Sequence, residues 1–378
     1  MKQLVIYDTS NYVDFPIGGQ LTSVHNFLSY ISNFQRNYCE KILLIGVTTD
    51  KTQLGKISFI ENNGIKIDFI PVVYRNSELY SVKKSLRLEF TKGLFKYYRI
   101  IPHGKNVLHY IHTPEAFLQI KIMHPFDKVV VFSHGSFFNM VKGFRFYKDN
   151  KFVCYLFNSF IKWMIKHANL IFVLDQDSLN QYLEYNQNVI KVDNSIVLPN
   201  FTIQNKQKHS PLRLLFVGRL SKVKRIDEII RAVDICNEDI IFNIVGDGEE
   251  REYLQSIKCS KRIKFSGALK PEDVKEEMNN SDILIMNSIL EGKPMTIIEA
   301  MSFGLPIITT DVGGISELVD FGINAIKTNG CKDEIVKAIN IILSSYDSFS
   351  NSSLEKSKKF DYKTVNSQIF ACIKELYY

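Results

Sequence analysis

Two cationic side chains follow a predicted strand in the second half of the chain. Phe216 and Val217 end this strand, Gly218 and Arg219 come next, and Lys224 precedes a predicted helix. A glycine at a strand end lets the backbone turn tightly towards a ligand. Arginine offers phosphate oxygens a planar fork of donors, and lysine offers them a compact charge. Arg219 and Lys224 are therefore predicted to bind a diphosphate, the alternative being ordinary surface cations.

Two glutamates that are eight residues apart form a second candidate site. Glu291 follows the predicted strand Ile283–Met286, and Glu299 lies inside a helix predicted to begin near Met295. The backbone N–H groups at that helix start are free to hold phosphate or sugar oxygens. The loop that offers them comprises Gly292, Lys293, Pro294, Met295 and Thr296. The Glu299 carboxylate is chemically suited to two vicinal ribose hydroxyls, unless it is a buried structural glutamate.

Three histidines lie at or near predicted strand ends in the first half of the chain. His109 and His112 flank the end of the predicted strand Val107–Ile111, and His134 follows the predicted strand Lys128–Ser133. A histidine at such a place serves either a ligand or the core. The pair His109-x-x-His112 has no further ligand residues close by in sequence, so no zinc site is predicted from it.

The pair Asp175-x-Asp177 has the form of a metal-binding carboxylate pair. Mg²⁺ or Mn²⁺ held there would neutralise a diphosphate leaving group. Arg219 and Lys224 can neutralise the same charge, so a metal would be redundant and none is predicted. We expect instead that Asp177 or Ser178 caps the helix that follows.

Short apolar segments alternate with longer amphipathic ones along the chain, which predicts βα units and mostly parallel sheets. The polar, proline-bounded stretch Pro199–Pro211 is predicted to be a linker. It divides a first domain, 1–200, from a second, 205–355, and the helix at 360–378 is predicted to cross back to the first. The serine-rich stretch Ser344–Ser353 is predicted to be a second linker. Two doubly wound domains facing a cleft would place helix N-termini towards an anionic ligand.

The apolar segments predict twelve strands. They are Leu4–Tyr7, Lys41–Val47, Lys66–Pro71, Val107–Ile111, Lys128–Ser133, Leu170–Leu174, Asn194–Leu198, Arg213–Val217, Ile240–Val245, Arg262–Phe265, Ile283–Met286 and Pro306–Thr310.

Length and composition exclude several classes of protein. The chain has 378 residues, which suits two domains of average size. Apolar residues make up 45% and charged residues 23%, so disordered and fibrous classes are excluded. The longest apolar stretch, Phe152–Leu174, is interrupted by Lys162 and Lys166, which argues against a membrane span. Six cysteines without a CxxC pair argue against a disulfide framework, and we expect a cytoplasmic protein without a signal peptide.

The net charge of +7 is unevenly distributed. Between Arg75 and Lys105, eight basic residues interleave with aromatic and aliphatic ones and oppose only Glu78 and Glu89. This composition predicts peripheral contact with an anionic membrane surface, the inner face of the cytoplasmic membrane, unless it forms a solvated basic helix. No nucleic-acid module accompanies it, and no P-loop or GxSxG elbow occurs, so we expect no nucleic-acid partner, P-loop NTPase or serine hydrolase.

An ordered set of motifs carries a resemblance to a known family. The set resembles family 4 of the retaining glycosyltransferases, which have the GT-B fold of two Rossmann-like domains, over about 213–320, with weaker likeness along nearly the whole chain. It comprises Gly218-Arg219-x4-Lys224, Gly246-Asp247-Gly248-Glu249, Phe265-Ser266-Gly267, Glu291-x7-Glu299-Ala300-Met301-x2-Gly304-x-Pro306, Gly313-Gly314 and an N-terminal Gly18-Gly19 loop.

The resemblance implies roles for individual positions. Arg219 and Lys224 would bind the donor diphosphate, which Gly18 and Gly19 would approach from the other domain. Glu299 would bind the ribose, and Glu291 with the amides of 292–296 would contact the transferred sugar. Residues bordering the base would be Gly246, Asp247, Gly267 and Leu269. His112 would lie beside the donor sugar, with His134 and His109 as further candidates on the acceptor side. Lys293 and Pro294 depart from the Phe-Gly that the family often has.

The implied activity is transfer of a sugar from a nucleotide-diphosphate sugar, with a UDP-sugar favoured, and with retention of anomeric configuration. The acceptor would be a saccharide or lipid-linked saccharide of bacterial surface polysaccharide or lipopolysaccharide synthesis. No metal or other cofactor is expected. The catalytic residues would be Glu291, His112, Arg219 and Lys224. The alternatives are a nucleotide-sugar epimerase and a non-catalytic nucleotide-sugar-binding protein of the same fold.

Overall fold

The computed structural model describes residues 3–10, 19–62, 65–75, 85–138, 150–199 and 206–377. Its contacts divide the chain into two units: unit 1 comprises Met1–Ser195 with Tyr362–Tyr378, and unit 2 comprises Ile196–Asp361. The predicted boundary near 200–205 lies within ten residues of this division, and the last helix belongs to unit 1. Part of the predicted linker, 200–205, lies outside the described residues.

Each unit is built on one β-sheet. The strands are β1 (Gln3–Tyr7), β2 (Lys41–Thr48), β3 (Ser58–Asn62), β4 (Ile65–Tyr74), β5 (Val107–Ile111), β6 (Lys128–Ser133), β7 (Leu170–Val173) and β8 (Val189–Lys191) in unit 1, then β9 (Leu212–Val217), β10 (Ile240–Val245), β11 (Arg262–Gly267), β12 (Ile283–Met286), β13 (Ile307–Thr310) and β14 (Ala325–Thr328) in unit 2.

Helices connect these strands and cover the sheets. They are α1 (Gly19–Phe34), α2 (Leu86–Lys96), α3 (Pro114–Met123), α4 (Lys151–His167), α5 (Gln176–Leu183), α6 (Ile226–Ile235), α7 (Arg251–Ser256), α8 (Pro271–Asn279), α9 (Met295–Ser302), α10 (Lys332–Ser344), α11 (Tyr346–Ser357) and α12 (Tyr362–Tyr377). None of the helices within the described ranges combines the length and the apolar character that crossing a membrane requires.

The sheet of unit 1 has the order β3-β4-β2-β1-β5-β6-β7-β8. Every neighbouring pair is parallel except β3 with β4. Successive residues of β1 enter opposite cores: Val5 and Tyr7 pack with α2, α3 and α4, and Leu4 and Ile6 pack with α1 and α12. Because both faces are covered, the central strands are continuously apolar rather than alternating.

The sheet of unit 2 is entirely parallel and has the order β11-β10-β9-β12-β13-β14. It is covered on one face by α6 and α10 and on the other by α9. If the strands are numbered within the unit, this is the doubly wound order 3-2-1-4-5-6. The direction in which successive strands are added to the sheet reverses between β9 and β12. The predicted α/β class with parallel sheets is confirmed.

Several predicted elements are wrong or missing. Asn194–Leu198 is not a strand, because Ile196 makes only an isolated bridge to Asp361. The edge strands β3, β8 and β14 were not predicted, since they are short or mix apolar with polar residues. The serine-rich stretch is helical rather than a linker, and Ser350 and Ser353 are buried in α11. The small side chain of Ser350 lies against Gly304, which follows α9.

Candidate functional site

The carboxyl ends of β9 and β12 form the switch point of the unit 2 sheet, where doubly wound folds bind their ligands. The loop 218–225 follows β9, and the loop 287–294 follows β12. A backbone hydrogen bond joins the two loops, since Ile289 N–H donates to the Val223 carbonyl at 2.8 Å. The fold therefore brings together the two sequence segments that carry Lys224 and Glu291.

Lys224 and Glu291 form an ion pair between these loops, Nζ with Oε1. Ser288 Oγ donates to the same carboxylate oxygen at 2.6 Å. The side chains of Lys224 and Glu291 are 17% and 10% exposed, so water screens this pair less than a surface pair. Lys224 and Glu291, which the sequence places at different parts of a ligand, are thus in direct contact.

Arg219 lies in the same loop but has a different environment. Its guanidinium binds Glu249, with Nη2 and Nε at 3.0 and 3.1 Å from Oε2. The Arg219 side chain is 66% exposed, so this pair contributes little to stability. Arg219 is consequently available to a ligand at low cost, whereas Lys224 is held by a buried carboxylate.

Glycines allow the loops that follow β9 and β10 to pack closely against each other. Gly246 has φ of 131°, and a Cβ there would lie 1.9 Å from the Gly218 carbonyl oxygen. Its N–H donates to the Gly267 carbonyl at 2.8 Å, which ties the end of β10 to that of β11. Asp247 is exposed and accepts from its neighbour Arg251 at 3.1 Å. Gly246, Asp247 and Gly267 thus lie at adjacent strand ends, and Leu269 packs partly buried just beyond.

We expect Gly246→Ala to lower the free energy of unfolding of unit 2 by about 2–4 kcal/mol, because the added Cβ overlaps a backbone carbonyl and φ is unfavourable for alanine. Gly292→Ala is the matched control, since a Cβ at Gly292 meets nothing within 4 Å. Urea unfolding followed by circular dichroism measures both. Equal midpoints for the two variants would contradict the close approach of these loops.

The loop from Gly292 to Thr296 leads into α9, with Pro294 at its N-cap. Met295 and Thr296 open the helix, so their N–H groups have no intrahelical acceptor. The loop is pinned by Gly313 and Gly314: Gly314 N–H donates to the Gly292 carbonyl at 2.9 Å. A Cβ on Gly313 would lie 2.0 Å from the Glu291 carbonyl oxygen. This backbone is therefore fixed before any ligand arrives.

Lys293 does not offer its side chain to solvent. Its side chain is 1% exposed, and Nζ lies 2.9 Å from Glu317 Oε2. The departure from the Phe-Gly pattern therefore places a buried ion pair under the loop. Glu317 belongs to a short 3-10 helix, Ile315–Glu317, and was not predicted as part of the site.

Glu299 lies one helical turn inside α9 and is half-buried. Burial raises the pKa of its carboxyl, and the nearby Lys275 partly offsets the rise. Within the described residues its carboxylate has no hydrogen-bond partner. A half-buried carboxylate without donors is suited to ligand hydroxyls, because they supply the bonds that the protein does not.

The histidines of unit 1 fall into two groups. His112 follows β5 at the switch point between β1 and β5, and its N–H donates to the Tyr7 carbonyl at 2.9 Å. Its Nδ1 lies 2.8 Å from Nε2 of His134, which follows β6. The buried Nε2 of His112 has no partner in the described part of the chain. The structure therefore brings His112 and His134 together and leaves one ring nitrogen for a ligand.

The structure corrects the prediction of His109 as an acceptor-side residue. It is fully buried in the middle of β5, with Nδ1 2.8 Å from the Tyr7 hydroxyl and Nε2 3.1 Å from Asp127 Oδ2. Asp127 precedes β6, so this network extends towards the amino ends of the strands, away from His112. Both ring nitrogens are occupied, which leaves His109 without a donor or acceptor for a substrate.

The remaining predicted positions are placed as follows. Gly19 is the exposed first residue of α1, and Gly18 lies outside the described residues. Asp175 rather than Asp177 or Ser178 caps α5, accepting from Ser178 N–H at 2.7 Å. The prediction that Asp177 or Ser178 is the N-cap is therefore wrong, because both residues lie in the first turn of α5.

Burial holds His112 and His134 neutral. It lowers the pKa of His134 to about 3 and the pKa of His112 well below its usual value, where the neighbouring His134 adds to the effect. Unfolded histidines titrate near 6.5, so from pH 6.5 down to about 3 the unfolded chain binds more protons than the folded one. Stability is therefore retained above pH 6.5 and lost as the pH falls through this window.

We expect His134→Gln to reduce the loss of unfolding free energy between pH 6.5 and 4.5 by about 1.4 kcal/mol per pH unit relative to the native chain. His167→Gln is the control, since His167 is exposed on α4. Urea unfolding at pH 6.5, 5.5 and 4.5 measures the slope. An unchanged slope in His134→Gln would show that His134 is protonated in the folded state.

The basic-aromatic segment 75–105 is only partly described, since 76–84 lie outside the described residues. Its helix α2 buries Phe90 and Leu94 and exposes Lys92, Lys96 and Leu88. A second surface of this kind was not predicted. The long helix α4 buries only Ile161, Met164 and Ile165 and exposes an apolar and basic face that comprises Lys151, Phe152, Tyr155, Leu156, Lys162, Trp163 and Lys166.

The chain has relatives of known name. Residues 200–364 match the family model of glycosyl transferases group 1. The chain is 29% identical over 178 residues to the phosphatidylinositol N-acetylglucosaminyltransferase GPI3 subunit of Saccharomyces cerevisiae, covering 44% of the chain and 39% of the relative. It is 27% identical over 168 residues to the lipopolysaccharide 1,6-galactosyltransferase of Salmonella typhimurium, covering 42% and 47%. These matches span about half of each relative or less.

Solved structures resemble the chain over its whole length. Sucrose-phosphate synthase of Thermosynechococcus elongatus has a TM-score of 0.76 at 14% identity, covering 100% of this chain and 99% of that one. The lipopolysaccharide outer core galactosyltransferase WaaB has 0.68 at 16%, covering 99% of each. Anabaena HepE in complex with UDP and glucose has 0.69 at 18%, covering 99% and 100%. The predicted GT-B type of fold is confirmed, and the comparisons support a glycosyltransferase.

Proposed function

We propose that the chain is a retaining glycosyltransferase that uses a nucleotide-diphosphate sugar, with a UDP-sugar favoured. The observation that carries the proposal is the meeting of Lys224 and Glu291 at the switch point of the unit 2 sheet. This is the place where a doubly wound sheet holds a nucleotide, and it offers both a cation for phosphate and the free amides at the start of α9. The glycosyl transferases group 1 match covers the same residues.

The leaving diphosphate is stabilised by positive charge already in place. The Lys224 ammonium has three donor hydrogens and gives one to Glu291, so two remain for phosphate oxygens. Arg219 turns from the exposed Glu249 to the same diphosphate. The first amides of α9 add dipolar stabilisation. This is electrostatic preorganisation, and no metal or other cofactor is required.

The acceptor hydroxyl attacks the anomeric carbon from the face that the diphosphate leaves. The new bond joins the acceptor oxygen to the anomeric carbon, the bond to the phosphate oxygen breaks, and the acceptor proton passes to the leaving phosphate. Glu291 and the 292–296 amides hold the sugar hydroxyls, and Glu299 holds the ribose. Support for His112 as a further sugar contact is its buried Nε2, which lacks a partner among the described residues.

The acceptor is proposed to be a saccharide or lipid-linked saccharide of bacterial surface polysaccharide or lipopolysaccharide synthesis. Among the relatives, the Salmonella protein is named a lipopolysaccharide galactosyltransferase, and an Erwinia amylovora protein is named for amylovoran biosynthesis at 28% identity over 129 residues. The proposed location is the cytoplasm, with peripheral contact at the inner face of the cytoplasmic membrane.

A donor panel tests the activity. The purified chain is incubated with UDP-glucose, UDP-galactose, UDP-N-acetylglucosamine or GDP-mannose, with and without a lipid extract as the acceptor source, and nucleoside diphosphate release is measured. We expect release of UDP from one donor, increased by the extract. Conversion of a donor into another nucleotide sugar without UDP release would identify an epimerase. Binding without any turnover would identify a non-catalytic protein.

Peripheral contact with an anionic membrane is proposed through the segment 75–105. Its described part exposes Lys92, Lys96 and Arg99 beside aromatic side chains. Each cation near an anionic surface contributes about 1 kcal/mol to binding. Replacing all three with glutamine should therefore weaken binding to phosphatidylglycerol vesicles about 100-fold. Vesicle co-sedimentation measures this.

The control for the vesicle experiment replaces three exposed cations of unit 2 with glutamine, namely Lys258, Lys270 and Lys359. It carries the same change of net charge and should bind like the native chain. Equal loss in both variants would show that only net charge matters. Unchanged binding in the first variant would overturn the role of the segment, and replacement of Tyr155 and Leu156 with serine would then test the exposed face of α4.

A further inference from the structure

Four side chains of unit 1, two of them buried and two half-buried, form a cluster that the proposed transfer reaction does not use. His103 precedes β5, His109 lies within it, and Asp127 immediately precedes β6. Asp127 Oδ2 lies 3.1 Å from His109 Nε2 and 3.3 Å from His103 Nδ1. The imidazole of His124 stacks on that of His103 with centroids 3.5 Å apart. Three imidazoles and a carboxylate are thus gathered at the amino ends of two adjacent strands.

The separations within this cluster suit ligands of one metal ion. Zinc is bound by histidine nitrogen and carboxylate oxygen at about 2.0–2.2 Å, so two ligands of a tetrahedral site lie about 3.3 Å apart. The two distances to Asp127 Oδ2 are close to this value. The three donor atoms of His103, His109 and Asp127 all lie within 4.8 Å of one another.

The outer partners also fit. A histidine ligand is normally oriented by a hydrogen bond from its other ring nitrogen. His109 Nδ1 lies 2.8 Å from the Tyr7 hydroxyl, and Gly104 N–H lies 3.0 and 3.1 Å from the two Asp127 oxygens. The buried Nε2 of His103, in contrast, has no partner among the described residues. Because Nδ1 is the His103 atom that faces Asp127, this Nε2 lies on the other side of the ring and is not a ligand atom of the cluster.

Lys121 is the charged group that faces this cluster from α3. Its Nζ donates to the carbonyls of Pro125 and Asp127 at 3.2 and 2.7 Å, and burial lowers its pKa. The ammonium is thereby held on backbone oxygens rather than on the Asp127 carboxylate. The Asp127 carboxylate therefore contacts His103 and His109 rather than Lys121.

We propose that His103, His109 and Asp127 bind a divalent cation of the zinc class. Imidazole and carboxylate donors favour zinc, nickel or cobalt over magnesium or calcium. The ion ties the loop before β5 to the turn before β6. The ion lies at the amino ends of β5 and β6, whereas His112 and His134 follow the carboxyl ends of these strands. Its proposed role is therefore structural and separate from sugar transfer.

Metal content and thermal stability test the proposal. The full chain is stripped with a chelator, dialysed against Zn²⁺, and freed of excess metal, and the bound metal is measured by mass spectrometry. We expect one zinc per native chain and a rise of about 5 °C in Tm on adding Zn²⁺. Co²⁺ in place of Zn²⁺ should give the visible absorption of a tetrahedral site.

His103→Ala should lose both the zinc and the rise in Tm, since His103 lies in a loop where truncation leaves the strands intact. His167→Gln, which removes an exposed histidine of α4, should keep both. A native chain that retains no zinc, or a His103→Ala variant that retains as much as the native chain, would overturn the proposal. Loss of sugar transfer alone would not bear on it, because the readouts are metal content and Tm.

Discussion

Lys224→Ala should lower the turnover of the nucleotide sugar about 10²–10³-fold, because it removes a half-buried cation from the place where the diphosphate charge develops. The native pair is already organised, with Lys224 on Glu291 and Ser288 on the same oxygen. Removing the ammonium leaves the Glu291 carboxylate uncompensated near the leaving group. The loss should therefore appear mainly in kcat, measured by UDP release under saturating donor.

Lys222→Ala is the matched control for this experiment. Lys222 lies in the same loop but is exposed, and no role at the diphosphate is assigned to it. It should retain turnover within about threefold of the native chain. Arg219→Ala should also be nearly inactive, because Arg219 can leave the exposed Glu249 at little cost. Near-native turnover in Lys224→Ala would place the diphosphate elsewhere.

Glu299→Gln should raise the KM for the nucleotide sugar about 10–100-fold and change kcat little. A hydrogen bond between a charged group and a hydroxyl contributes about 1.5–3 kcal/mol, and loss of binding that is equal in ground and transition states appears in KM. Glu299 is suited to this role since its carboxylate is half-buried and lacks a hydrogen-bond donor in the described residues. Steady-state kinetics with the donor found by the panel measures the change.

A deoxy ligand separates this role from a structural one. UDP and 2′-deoxy-UDP are titrated calorimetrically into the native chain and into Glu299→Gln. The native chain should bind the deoxy compound about 10-fold more weakly or worse, and the variant should bind the two ligands alike. Glu276→Gln, a change at an exposed carboxylate of α8, should behave like the native chain. A variant that still discriminates would show that Glu299 does not hold the ribose.

The central strands could be predicted because both faces of the sheets are buried and their sequences are apolar throughout. Val107–Ile111 and Ile283–Met286 were predicted with the bounds that the structure has. Edge strands such as Val189–Lys191 could not be predicted, because a short strand with one partner has little apolar pattern in its sequence. Ser344–Ser353 was misjudged because serine favours loops by propensity, whereas here it supplies small side chains to a helix contact.

The candidate site was predictable in its residue types but not in its pairings. Glycines at strand ends and the spacing of Glu291 and Glu299 are local signals. The contact of Lys224 with Glu291 depends on β9 lying beside β12, which only the order of the strands reveals. The ion pair between the buried Lys293 side chain and Glu317 is likewise a long-range contact. His109 and His112 differ for a local reason that could have been found: three residues apart on and after a strand, they face opposite sides.

The account rests on transfer of a sugar with retention, and proton NMR of one reaction tests it most directly. The chain is incubated with the donor found by the panel and with the lipid extract, and the anomeric signals are followed over time. We predict that UDP appears together with a glycoside of the same anomeric configuration as the donor. A product of inverted configuration, or a second nucleotide sugar in place of UDP, would contradict the account.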